Sequence, residues 1–326
     1  MRSSLFFKLF PPPTFLMRPH AGLDISDDAI RCIEYHRTYH GLTISKHAVQ
    51  VLPDGLIKGG DIKDEKEFVS ILNKFAEKNS LLYAKVSLPE EKAYLFQTDV
   101  PSANFGSIAQ NIEFKLDQNV PLSAQDALFQ FDLMPKAVTG NSLRASVSVI
   151  PRTYVEHYIT LLRAGNISPV AFEVVPKSIV AACTPFHSTI TYLVVHVMKS
   201  KTGLYIVSEG VVCFTSTISW GSNDLDTTNG TANKNSQGSN LLTNEINRVY
   251  SYWSTRADIH TGISEIMVVG SRAEECEALL KNYGGEALSH SVLPNVWHNA
   301  FDVNAYIPPI TKTDSFEYAI AAGLAL

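Results

Sequence analysis

The chain is 326 residues long, 45% hydrophobic and 18% charged, with a formal net charge of −5. That is enough chain for about two domains with genuine cores, and the proportions exclude a disordered tail or a disulfide-stapled miniprotein. The 32 acidic residues outnumber the 27 basic ones and no Lys/Arg block occurs, so the electrostatic footprint of a nucleic-acid binder is missing.

Residues 1–18 carry Leu5, Phe6, Phe7, Leu9 and Phe10 ahead of Pro11, Pro12 and Pro13. Lys8 interrupts this run, so it reads as an apolar tail that docks on protein rather than as a cleaved signal. From Ala21 the sequence AGLDISDDAIRCIEYHRTYHGLTISKHAVQV spells a strand, a polar hinge at 26–28, a second strand, a turn at 39–41 and a third strand. From Thr191, TYLVVHVMKSKTGLYIVSEGVVCFTSTIS repeats that β-meander, with its hinge at 199–202 and its turn at 208–210. Helices and further strands follow each meander, so the economical reading is two α/β halves built on one plan.

Between the meanders, Asp64 and Glu67 form a capping box before Phe68, Ile71, Leu72 and Phe75, and Asn79 and Ser80 mark the exit of that helix. Phe105, Ile108, Ile112 and Leu116 share a stripe that ends before Pro121. Pro151 opens a helix carrying Tyr154, Val155, Tyr158 and Leu162, and Gly165 ends it. Residues 221–240 are almost without hydrophobic side chains and read as a mobile polar loop. Leu242, Ile246, Val249 and Trp253 form another helical stripe, and Ser271 with Glu274 and Asp314 with Glu317 read as capping boxes for the last two helices.

Catalytic motifs are scarce. There is no GxGxxG, GxxxxGK[ST], HExxH or GxSxG sequence. Cys32, Cys183, Cys213 and Cys276 lie far apart with no CxxC pair, which fits a reducing compartment and no zinc site. His36, His40 and His47 read as surface residues, and Asp61, Asp64, Glu65 and Glu67 as negative charge at a helix N-terminus. No window reaches the roughly 18–20 apolar residues of a membrane helix, so the chain reads as cytoplasmic.

Six segments, taken in order, resemble one family. GLDISDDAIRCIEY followed by LPDGLIKGGDIKDEKEFVSILNKF is similar to the opening of the type IV pilus assembly protein PilM family, actin-like proteins related to the cell-division protein FtsA. The likeness continues through QNVPLSAQDA, VIPRTYVEHYITLLRAGNISPVAFEVVPKSIVAA, ISWGSNDL, IMVVGSRAEECEALL and FEYAIAAGLAL. It implies an α/β actin-like ATPase fold of two ribonuclease-H-like halves flanking a cleft, with a small inserted α+β subdomain of the SHS2 type. On this plan subdomain IA spans 19–89 and 150–190, the inserted subdomain IC spans 90–149, and IIA spans 191–220 and 264–314. A reduced IIB with the polar loop fills 221–263, and a C-terminal helix occupies 315–326.

In such folds a hairpin loop from each half offers amides to a nucleotide's phosphates while acids hold Mg²⁺. The resemblance maps that site onto Asp24, Ser26, Lys199, Gly270 and Ser271. The fit is poor. Asp24 matches the family acid, but Ser26 replaces a glycine, and Asp27 and Asp28 stand where small hydroxyl residues contact phosphate. A carboxylate about 4 Å from a phosphate charge costs on the order of 4 kcal/mol at an effective dielectric of 20. In the second loop His196, Val197 and Met198 replace Asp-Ile-Gly. His196 reads as a satisfied core histidine. Lys199 and Lys201 are able to pair with phosphate, although lysines beside a turn are ordinarily solvated. Ser271 is accounted for as a helix N-cap with Glu274, and Glu173 matches the family's acidic connector but also reads as a solvent-facing strand end.

The expected function is a cytoplasmic adaptor, peripheral to the inner membrane through its partners, in which no residue is catalytic and no metal site is required. The resemblance implies a groove between IA and IC that takes the cytoplasmic tail of a PilN-like inner-membrane protein, with pilus motor or platform proteins as further partners. A homo-oligomer is left open, and ATP and Mg²⁺ are admitted as cofactors without being required. The alternatives are an ATP-hydrolysing conformational switch of the same machine and an FtsA-like cell-division protein.

Overall fold

The computed structural model describes residues 19–38, 41–139, 142–229, 232–255, 262–283 and 288–326. The apolar tail 1–18 and most of the first meander's turn lie outside the described residues. The first meander is β1 (Ala21–Ile25), β2 (Ala29–Thr38) and β3 (Gly41–Val51). A two-strand hairpin of β4 (Ile57–Lys58) and β5 (Asp61–Ile62) leads to α1 (Glu65–Asn79) and β6 (Tyr83–Leu88). Asp64 caps α1 by accepting a 2.9 Å hydrogen bond from the Glu67 amide, and Ser80 closes it in the left-handed region at φ 48°. The chain then builds β7 (Tyr94–Pro101), α2 (Phe105–Asn119), β8 (Ala127–Thr139) and β9 (Ser142–Pro151) before returning through α3 (Arg152–Ala164), β10 (Ser168–Val174) and α4 (Val175–Cys183).

The second meander is β11 (Thr191–Val197), β12 (Thr202–Ser208) and β13 (Val211–Ile218), followed by α5 (Ala232–Ser254), β14 (Ile263–Gly270), α6 (Ala273–Tyr283) and β15 (Ser291–Val292). Two short helices, α7 (Lys312–Ser315) and α8 (Ala319–Leu324), end the chain. The first large sheet has the order β3-β2-β1-β6-β10 and the second β13-β12-β11-β14-β15. In each, an antiparallel meander is extended by two strands parallel to its first. The repeated meander is thus a repeat of the whole sheet plan. Between β6 and α3 sits a separate sheet, β7-β9-β8, packed on α2 through Ile108, Ile112 and Leu116.

Each unit has its own core. That of the first half gathers Leu23, Phe68, Leu72, Val86, Leu162 and Ile167. That of the second half gathers Val195, Tyr205, Trp253 and Val268, and reaches across to Ile33, α4 and the C-terminal helix. The helix α8 is wedged between β1 and α4, and two glycines make this approach feasible. A Cβ on Gly22 would lie 2.0 Å from the Ala321 carbonyl oxygen, and one on Gly323 would lie 1.8 Å from that of Ser178.

Three local expectations are corrected. The segment 221–240 is largely helical, with a 3₁₀ stretch at Ser222–Asn229 and α5 beginning at Ala232. Once Leu242, Ile246, Val249 and Trp253 are anchored in the core, each residue added to the helix N-terminally gains a hydrogen bond without a fresh nucleation cost. Ser271 lies outside α6, which begins at Ala273, and Glu274 is engaged by the Thr313 hydroxyl at 3.1 Å instead. Near the C-terminus the cap is Thr311, whose hydroxyl accepts from the Asp314 amide at 3.1 Å, one turn earlier than the Asp314–Glu317 reading. That leaves Glu317 available for other work.

All four cysteines are buried free thiols, and burial pushes those of Cys32, Cys183 and Cys276 up to about 12, so they act as core side chains. Among the described residues no helix is long and apolar enough to cross a membrane. The wedge predicts that Gly22→Ala, which drives a methyl into backbone, lowers stability by about 1–3 kcal/mol or more. Gly106→Ala, whose new Cβ meets Asn104 Oδ1 at an ordinary 3.5 Å, costs nothing. Urea unfolding midpoints of the two variants check this.

Candidate functional site

The cleft between the halves is built from the polar hinges of the two meanders. At the end of β1, Asp24 is 1% exposed and accepts a 3.0 Å hydrogen bond from Ser87, whose oxygen in turn accepts from the Ile25 amide. Ser26 donates to Asp28 at 2.9 Å, and Asp27 accepts the amides of Gly59 and Gly60 at 2.9 and 3.2 Å. Arg31, buried between Ile30 and Cys32 on β2, reaches back to Asp28 at 3.2 Å and outward to Glu317. The C-terminal segment therefore supplies a countercharge that its sequence position does not announce.

Across the cleft, the β11 hinge presents two lysines to this acidic edge. Lys201 bonds Asp27 at 3.2 Å and also Glu91, while Lys199 lies 3.8 Å from Asp28. Beneath them His196 and Tyr205 form a relay: Tyr205 donates to Glu90 at 2.8 Å, so its oxygen accepts from His196 Nδ1 at 3.2 Å. Gly203 leaves the space this phenol fills, since a Cβ there would stand 2.1 Å from the Tyr205 hydroxyl. Gly270, at φ 104°, lets β14 turn against the Val197 carbonyl, which accepts the Ser271 amide at 2.8 Å.

Asp24, Ser26, Gly270 and Ser271 thus meet around one hollow, together with Asp28, Arg31 and Glu317, and Lys199 is tied to its rim. The hollow measures about 30 Å³, as does its neighbour bounded by Asp27, Glu90, Glu91 and Lys201. Each has space for about a water, whereas ligand pockets run to several hundred Å³. The cations at the edges of the two hollows are engaged by carboxylates of the same chain. Ser222 donates to the Ser271 hydroxyl at 3.1 Å, so that side chain bridges to the 3₁₀ stretch instead of capping a helix. The sequence reading missed Arg31, Glu90, Glu91 and Glu317. A cation inside the apolar run AIRCI was the available signal, because a buried guanidinium requires acids nearby.

The electrostatics follow from burial. Burial pushes the Asp24 carboxyl from 3.8 up to about 6 against the pull of Arg31 and the Ser87 hydrogen bond. Burial also acts to raise Asp28, but Arg31 and Ser26 outweigh it and hold its carboxyl below the ordinary range. Glu90 is raised, first by burial and then by the neighbouring Glu91 charge. Burial carries His196 down to about 3, which keeps the imidazole neutral, as its place in a strand core requires.

A second, different hollow borders the inserted sheet. A cavity of about 180 Å³ runs between that sheet and the first half. Three consecutive residues of β8 (Leu128, Phe129, Gln130) and three of β10 (Phe172, Glu173, Val174) line it. Three consecutive residues of β9 (Ser148, Val149, Ile150), the central strand of the inserted sheet, line it as well, so the sheet order rather than the lining pattern identifies the edges beside the groove. Among the described residues β8 and β10 are both edges, β8 pairing only with β9 and β10 only with β6. Leu88, Ile150 and Val155 form an apolar floor, and at the rim Lys177 lies 2.9 Å from Asp132 and 3.6 Å from Glu173. Glu173 is therefore a half-buried rim acid held by a cation, not a free strand end.

The model of the family described as type IV pilus assembly protein PilM matches residues 22–229. A solved structure of a PilM-PilN type IV pilus biogenesis complex is similar over 94% of this chain and 98% of its own, at 16% identity and a TM-score of 0.74. The ethanolamine utilization protein EutJ from Carboxydothermus hydrogenoformans is similar over 97% of this chain and 90% of its own, at 11% identity and a TM-score of 0.53. No curated protein sequence matches the chain. With the duplicated sheet plan, these likenesses establish the actin-like ATPase fold with an inserted α+β unit.

The raised carboxyl of Asp24 fixes the sign of a pH effect. The folded chain holds this proton more tightly than the unfolded one, so the group's stabilisation is complete below about 3.8 and is lost as pH rises through about 6. The stability of the parent chain relative to Asp24→Asn therefore falls by on the order of 2–3 kcal/mol between pH 4 and pH 7 and is level above that. Denaturant titrations of both chains at stepped pH measure it; a difference independent of pH would contradict it.

Proposed function

From the premise that this chain belongs to the type IV pilus assembly protein PilM family, we propose that it is a cytoplasmic adaptor of a type IV pilus or related secretion machine. Its groove receives the cytoplasmic tail of a PilN-like inner-membrane protein, which places the adaptor at the membrane through that partner and beside the motor or platform proteins. The observation that carries this reading is the apolar groove lined by residues of two edge strands, β8 and β10. An extended peptide is the natural occupant of such a site: unpaired strand edges supply main-chain hydrogen bonds, and an apolar floor takes alternate side chains. In the similar solved complex, PilN is the protein assembled with PilM.

On this reading the nucleotide site is degenerate and binding replaces catalysis. The charges of the cleft support that, since Lys201, Lys199 and Arg31 are each engaged by carboxylates of the same chain. Expelling them in favour of a triphosphate would leave Asp27, Asp28 and Glu91 facing phosphate oxygens without their counterions. The rival reading, an ATP-driven switch, has the two-halved fold in its favour and needs this ionic set to be dismantled at every turnover.

Two measurements test the proposal. Leu128→Arg places a charge on the groove wall and weakens binding of a synthetic PilN-like N-terminal peptide at least tenfold, about 1.4 kcal/mol. Phe114→Arg, at a position 84% exposed on α2, leaves binding unchanged, and calorimetric titration reads both. Millimolar Mg·ATP leaves the melting temperature where it was and is not hydrolysed. A ligand at 100 times its Kd would add about 2.7 kcal/mol, so a clear upward shift would favour the switch instead.

A further inference from the structure

We propose that Lys201 is a positioning residue for the peptide groove: by tying Asp27 to Glu91 it does with protein atoms what a bound nucleotide does in a two-halved clamp. This rests on the groove reading above and adds that the far half of the molecule sets the groove's aperture.

The connection is physical at every step. Asp27 belongs to the first half, Lys201 to the second, and Glu91 to the 3₁₀ turn Glu90–Lys92 that links β6 to the inserted sheet. One ammonium, 15% exposed, therefore holds three bodies at a single point. Tyr205 of the second half grips the same turn through Glu90, and Lys92 anchors its other end to Asp61 at 2.6 Å. The inserted sheet is further backed by β13, where the Val212 carbonyl accepts from Ser146 at 2.6 Å and that of Cys213 from Gln97 at 2.9 Å. Leu88, two residues before Glu90, lies in the groove floor. Ser148 and Val174 line both the groove and a small hollow that reaches Glu90 and Val212. The second half is thus a backing plate: when it is seated by Lys201, the β8 edge is held at a fixed separation from the β10 edge.

The three carboxylates around this ammonium, Asp27, Glu90 and Glu91, have no other cation within ion-pair distance among the described residues. Removing the charge while keeping the side chain's bulk therefore cuts the tie between Asp27 and the turn, leaving the turn held by Tyr205 and Lys92, without touching any groove residue. The experiment compares the full chain with Lys201→Met, Lys201→Arg and Glu91→Gln. Two readouts are taken: amide hydrogen exchange of the free protein over residues 88–95 and 143–149, and the Kd of the synthetic PilN-like N-terminal peptide.

In Lys201→Met the amides of both segments exchange faster and the Kd rises about five- to tenfold, within the usual range of coupling between sites. Lys201→Arg restores both. A merely structural lysine would alter melting without a matching change in Kd, and should Lys201→Met not fold, Glu91→Gln cuts the same tie more gently and is read in the same way. A folded Lys201→Met chain with parental exchange in these segments, or with a Kd within twofold of the parent, overturns the proposal. If the parent chain does not bind the peptide at all, the groove reading fails and the coupling with it. Peptide binding indifferent to Lys201 sinks the coupling alone.

Discussion

A cation withdrawn from water must find its countercharges nearby, and in this molecule Lys201 finds them on two separate pieces of the chain. Asp27, Glu90 and Glu91 converge on it from the first half and from the turn that starts the inserted sheet. Arg31 does the same on the other side of the hinge, drawing Glu317 from the last helical segment toward Asp28. These pairings bridge the two halves across the cleft and reach the turn that starts the inserted sheet.

Such pairs contribute little net stability, because desolvating both partners offsets most of the attraction, while removing one partner leaves a buried charge and is costly. They specify one arrangement of bodies that are each stable in their own cores. Cohesion comes from packing instead. The helix α8 approaches β1 and α4 so closely that Gly22 and Gly323 admit no side chain, and the second core continues through this helix to Ile33 of the first sheet. The cleft is closed by charge and the hinge behind it by dispersion and burial.

The groove follows from the same economy. Among the described residues, the β8 edge of the inserted sheet and the β10 edge of the first sheet are both unpaired and border one cavity, and exposed edges are sites where another chain adds a strand. Its wall is shared between the first half and the inserted sheet, and the inserted sheet leans on β13 of the second half. A surface assembled from separate bodies is adjustable in a way that a groove within one sheet is not.

Local patterns in the sequence determined most of the elements. Both meanders, the α1 capping box at Asp64, the stripe of α2 and the span of α3 are legible because they depend on neighbours a few residues apart. The ordered likeness of six segments carried the family and the fold; of the residues it mapped to a nucleotide site, Asp24, Ser26, Gly270 and Ser271 lie around one hollow, and Lys199 lies 3.8 Å from Asp28 at its rim. Tertiary structure decided what those residues do. Ser271 meets Ser222 rather than a helix end, the polar stretch before Leu242 is helical because the stripe behind it is anchored, and Glu317 is a countercharge rather than a cap. The partners of Arg31 and Lys201 lie 286 and 110 positions away along the chain. A buried charge selects its partner by distance in space, which is fixed only when the separate cores have formed and packed together, and no local pattern of residues encodes that.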